Sequence, residues 1–127
     1  MIIHHFGGDI ECHTTKKLLE VLNLKYGNCS NEFILSGESE YPYMTIMVKG
    51  DFAVVSFFIK ESDWILQAVN NDNDFALDEN NVFYTGNDEM EIEICNEFVI
   101  PFSKAIIAAE EFFKTKTLPK CLKWSKQ

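Results

Sequence analysis

Phe52-Ala53-Val54-Val55-Ser56-Phe57-Phe58-Ile59 is the stretch that decides the fold. Successive side chains of a strand point to opposite faces, so a half-solvated strand alternates apolar with polar residues. Here both sets of positions are apolar. The stretch therefore predicts a central strand covered on both sides. Immediately upstream, Lys49-Gly50-Asp51 reads as a tight turn joining it to an apolar run at 43–48. Further runs rich in Ile, Val and Phe at 32–36 and 64–70 complete an antiparallel meander around residues 52–60.

Working outward, residues 2–6 form a short extended run that stops at Gly7-Gly8. Thr14 or Thr15 can then cap a helix in which Leu18, Leu19, Leu22 and Tyr26 recur at helical spacing, with Gly27 expected at its C-terminal end. After the polar tract Asn70-Asn71-Asp72-Asn73-Asp74, residues 82–85 and 90–95 predict a hairpin closed around Gly86-Asn87. Pro101 suits the first position of a second helix, in which Phe102, Ala105, Ile106, Ala109, Phe112 and Phe113 share one face. Lys114 and Lys116 complement the dipole at its far end. The tail through Trp124 either adds an edge strand or pins the indole over the core. The expected fold is α+β: an antiparallel meander packed by an N-terminal and a C-terminal helix, in a single domain over the 127 residues.

Charge narrows the function. The formal net charge is -9, and no arginine is present. Nucleic acid and anionic membranes are thereby disfavoured as partners, because neutralising phosphates needs clustered cations. From Glu61 to Ser103 there is no lysine or histidine either, while acids recur throughout. Such a run creates a negative field that attracts basic surfaces; its bland alternative is a solvated face. Met90-Glu91-Ile92-Glu93-Ile94 alternates cleanly, which sends Met90, Ile92 and Ile94 toward the core and sets Glu91 and Glu93 about 7 Å apart on the other face. With Asp88 and Glu89 at the turn, they form an acidic ridge.

Catalytic and metal chemistry find little support. His4, His5, Cys12 and His13 have ligand types but not a zinc spacing, and adjacent histidines on a strand point apart. The Asx-rich stretch 70–78 lacks the ligand spacing and glycine of a calcium loop. No Cys–His pair shows an activating environment, and glycine-rich phosphate loops are absent. No catalytic residue, metal or cofactor is expected. Cys12, Cys29, Cys95 and Cys121 are unpaired in spacing, and neither a leader peptide nor a membrane-spanning stretch is legible, so the expected setting is cytoplasmic, without disulfides.

A resemblance sharpens these readings. Val82-Phe83-Tyr84 before an acidic hairpin, then Ile100-Pro101, Ala105 and Ala108-Ala109 ahead of Glu111-Phe112-Phe113, and finally Thr115, Pro119 and Trp124, resemble the Imm1 family of bacterial immunity proteins. The likeness spans 81–124, about a third of the chain. Many members carry a glycine after the threonine, where this chain has Lys116, so the helix is expected to close differently. The resemblance implies a non-enzymatic inhibitor that binds a cognate toxin C-terminal domain one-to-one, in contact-dependent inhibition or related polymorphic toxin systems. Many such toxins act on nucleic acid. Phe112, Phe113 and Trp124 read as core. The toxin-binding candidates are the acids Asp72, Asp74, Asp78, Glu79, Asp88, Glu89, Glu91 and Glu93, with aromatic anchors sought among Trp64, Tyr84, Tyr41 and Tyr43. An acidic adaptor or regulatory domain without a toxin partner is the alternative, and a small enzyme built on the His4–His13 group the third.

Overall fold

Burial of the middle of the 52–59 stretch on both faces organises the molecule, while Phe52 and Ile59 at its ends are exposed. A computed structural model describes residues 1–60, 65–70 and 79–127. In it β5 (Phe52–Phe58) lies inside an antiparallel meander formed with β3 (Ser30–Ser36), β4 (Tyr43–Lys49) and β6 (Ile65–Ala68). Val55, Ala53 and Phe57 are buried on one face, and Val54 is buried on the other. The meander is extended by a hairpin of β1 (Ile2–His5) and β2 (Gly8–Glu11) at one edge and by β10 (Trp124–Lys126) at the other. Gly50 makes the β4–β5 turn with a φ of 58°, which glycine adopts without steric cost.

Both helices cover the same face. Leu18, Val21 and Leu22 of α1 (Thr15–Leu22) and Ala105, Ala109 and Phe112 of α2 (Phe102–Thr115) join Ile3, Phe33, Leu35, Ile46, Val55 and Phe57 in one cluster. The alanines let α2 approach closely, and the Phe112 ring meets Phe57 edge-on at 5.7 Å between centroids. Trp124 packs against this cluster while its Nε1 donates to the Pro119 carbonyl at 2.8 Å, so the tail both adds a strand and seats the indole. Pro101 precedes α2 as its N-cap and, with Ile100, forms β9 (Ile100–Pro101) against the start of β5.

Several boundaries differ from expectation. Thr14 is the α1 cap, accepting from the Lys17 amide at 3.1 Å, but the helix stops at Leu22 and Asn23 is its C-cap. Tyr26 and Gly27 lie beyond it, in a link that closes through a 3-10 turn over Gly27–Cys29. The reason lies in buried Asn31: its Nδ2 donates to the Leu24 carbonyl and its Oδ1 accepts from the Phe6 amide, which draws this link toward β3. β2 was not legible because Gly8 and Asp9 break the apolar pattern. Lys116 ends α2 in the left-handed conformation, φ 56°, which a glycine would otherwise occupy, and its ammonium donates to the Phe113 carbonyl.

The second layer is a separate two-stranded sheet of β7 (Asn80–Tyr84) and β8 (Glu91–Cys95). It lies over the face away from the helices, where Phe83 and Val99 bury Val54 with Met47 and Ile94 alongside. Truncation of Phe112 to alanine should cost about 3–5 kcal/mol in urea unfolding, whereas Ile107→Ala on the exposed side of α2 should stay within about 0.5 kcal/mol; equal effects would contradict this placement of the core.

Candidate functional site

What fixes the β7–β8 hairpin is polar as well as apolar. Glu32 lies on the β3 face that the hairpin covers, paired across the strands with Met47. Its Oε2 accepts from the Thr85 hydroxyl at 2.9 Å and its Oε1 from the Gly86 amide at 3.0 Å. At the other side of the turn, Asp88 Oδ2 accepts from the Gly27 amide at 2.9 Å. A side chain at Gly27 would put its Cβ 2.5 Å from that oxygen, so glycine is required there for close approach rather than for ending a helix. At the base, Asn81 donates to the Asn96 side chain and the Asn96 amide to the Glu79 carbonyl.

Register then sorts the hairpin's side chains. Phe83 faces Ile92 across the strands, while Val82 faces Glu93 and Tyr84 faces Glu91, so both glutamates share one side of the ribbon. Glu79, Glu89, Glu91 and Glu93 are exposed. Their alternation holds as expected, but the apolar partners do so only in part: Ile94 packs on the second cluster, whereas Ile92 is 37% exposed and Met90 57%. The cause is geometric. β7 runs over β3 and β4, whereas β8 lies outboard with β7 as its neighbour, so the residues near the turn overhang the sheet. Exposed glutamates on one side of the ribbon and exposed Ile92 on the other therefore flank the outer strand β8.

The remaining candidates separate. Asp88 is half-buried and occupied by the Gly27 amide, which makes it a clamp rather than a free charge. Tyr84 is 8% exposed and so packs the hairpin instead of offering a ring to a partner. Asp72, Asp74, Asp78 and Trp64 lie outside the described residues. Tyr41 and Tyr43 are half-buried on the sheet face that the hairpin leaves open. Glu32 was missed, although a carboxylate between Asn31 and Phe33 in an apolar strand is a signal that something must satisfy it.

The histidine group does not assemble. His4 contacts Asp9 on the neighbouring strand, and His13 lies 3.3 Å from Glu11. Cys12 is buried in the main cluster, where burial raises its thiol pKa. His5 accepts from the Gly7 amide and packs between Tyr26 and Phe33; burial lowers its imidazole pKa against an opposing pull from Asp9. Among the described residues, no three His, Cys, Asp or Glu side chains converge, and no helix is long and apolar enough to cross a membrane.

Comparison with protein-family models and with curated proteins finds no match to this chain. Removing the clamp by Glu32→Ala should loosen the hairpin by about 1.5–3 kcal/mol, the worth of hydrogen bonds to a charged group. Amide hydrogen exchange would then accelerate at least about tenfold in β7 and β8, with β3–β5 amides unchanged; uniform acceleration, or none, would contradict the clamp.

Proposed function

We propose that this chain is an immunity protein that binds a cognate bacterial toxin domain one-to-one and neutralises it by covering a basic surface with the acidic hairpin. One observation carries the reading: a hairpin clamped to the sheet exposes Glu89, Glu91 and Glu93, with Met90 and Ile92 also exposed on the same strand segment and Ile92 on its opposite side. The Imm1-like pattern of 81–124 points to the same function; of its residues read as core, Phe112 is buried, and Phe113 and Trp124 are half-buried against the main cluster.

The chemistry follows from the arrangement. A toxin that cuts or modifies nucleic acid needs a cationic cleft for phosphates, and carboxylates on a rigid ridge can occupy that cleft in their place. Exposed acids accelerate encounter and select a basic partner, but contribute little lasting affinity by themselves. Met90 and Ile92 supply the apolar burial that retains the complex, Met90 adapting its unbranched chain to the surface it meets. Inhibition is steric and electrostatic, and it uses no catalytic group of this chain. The setting is the cytoplasm of the toxin-producing cell.

Co-expression with the toxin domain encoded beside the gene should restore growth and yield a one-to-one complex; toxicity without complex formation would refute the reading. Within that complex, E91K/E93K should weaken binding at least about tenfold, or about 1.4 kcal/mol. E11K/E20K, which changes net charge equally on other elements, should have a much smaller effect. Equal losses would mean that overall charge, not the hairpin, governs binding.

A further inference from the structure

The half of the sheet face that the hairpin leaves open carries a second surface. Register sets Ser36, Tyr43, Phe58 and Ile65 in one row across β3 to β6, on the side opposite the helix-facing Leu35, Met44, Phe57 and Leu66. The Tyr43 and Phe58 rings are stacked at 4.4 Å with 10° between their planes, and Tyr41 leans on Tyr43 at 5.4 Å. Beside them a cleft of about 280 Å³ is lined by His4, Ile34, Ser36, Glu40, Tyr41 and Tyr43. Ile59 and Ile65 remain exposed next to the rings.

Charge selects the occupant. Glu38 and Glu40, on the loop that leads into β4, are exposed, and among the described residues neither is in an ion pair. Lys116, the cation of the adjoining cleft at Gly37 and Pro42, is turned to the carbonyl and ring of Phe113. A second copy of the chain, itself at -9, would bring the same carboxylates face to face, and a phosphate-rich surface would meet them directly. A cation is the complementary ligand. Two tyrosine rings tilted by 50° with the Glu40 carboxylate beside them favour a planar guanidinium, which stacks on a ring and pairs with carboxylate through a fork of donors, over the point charge of lysine.

We propose that this cleft is an arginine-binding subsite, which takes one arginine side chain from an extended basic segment of a protein partner between the Tyr41–Tyr43 rings and Glu40, with Glu38 of the adjoining cleft adding to the negative field. The proposal does not depend on the partner being a toxin, and it concerns a face separate from the Glu91–Glu93 ridge.

Titration of the ¹⁵N-labelled protein with acetyl-Ala-Arg-Ala-Arg-Ala-amide, followed by amide shifts, tests it. Shifts should concentrate at Ile34, Glu40, Tyr41, Tyr43 and Phe58, with the citrulline peptide, neutral but similar in shape, at least about tenfold weaker and the lysine peptide about threefold weaker. The E38Q/E40Q variant, which keeps the fold and the side-chain shapes, should lose at least about threefold in affinity for the arginine peptide. Tyr43→Leu, provided its spectrum remains folded, should erase the preference for arginine over lysine; should it unfold, E38Q/E40Q and the citrulline peptide decide. Shifts centred on β8, equal binding of the citrulline peptide, or unchanged affinity in E38Q/E40Q would each overturn the proposal.

Discussion

Burial of the middle of β5 on both faces is the constraint on which the rest of the structure depends. Val55 needs a cover on one side and Val54 on the other, and both are essentially shielded from water. The two helices supply the first cover through their leucines, alanines and Phe112. The second has to come from elsewhere in the chain, and it comes from the β7–β8 hairpin through Phe83 and Val99. Once Phe83 is committed inward, the two-residue period of a strand forces Glu91 and Glu93 to the opposite side of the ribbon. The acidic ridge is thus a geometric consequence of covering Val54, a core position far from it in the chain.

The apolar part of that second layer is small, with only Val54, Phe83 and Val99 fully buried among the described residues. Nonpolar burial is non-directional and does not by itself fix how a ribbon sits on a sheet. Orientation is set by Glu32 and Asp88, which hold both sides of the hairpin turn to β3 and to the link after α1. An element held this way loses little further freedom when a partner binds, so more of the contact energy appears as affinity. The clamps and the ridge are drawn from the same residue types, yet they act differently: Glu32 and Asp88 are occupied within the fold, and Glu89, Glu91 and Glu93 face outward.

Much of the architecture is legible in the sequence itself. The double-sided apolar run placed β5 at the centre, Gly50 marked its turn, and the period of α2 identified Ala105, Ala109 and Phe112 as inward. What could not be read has a common cause in long-range polar contacts. Asn31 reaches back to Leu24 and Phe6, which is why α1 stops before Tyr26. Gly27 serves the carboxylate of Asp88, 61 positions further along the chain. Exposure at the hairpin was half legible: alternation located the glutamates, but it could not show that β8 overhangs the sheet and leaves Met90 and Ile92 uncovered. The same limit applies to Tyr84, whose ring is shielded although its strand neighbours Glu91.

Both proposed surfaces direct cations to the non-helical face, one to a ridge of separated carboxylates and the other to a tyrosine cleft with Glu40 in its lining. The central proposal, that the ridge steers a basic toxin onto this face, is tested most directly by the association rate constant with the proposed toxin partner, measured from low to high ionic strength. A rate that starts near 10⁷–10⁸ M⁻¹s⁻¹ and falls by about tenfold or more as salt screens the ridge is expected for a steered encounter, roughly as seen for complementary charged pairs. A rate independent of salt would contradict it.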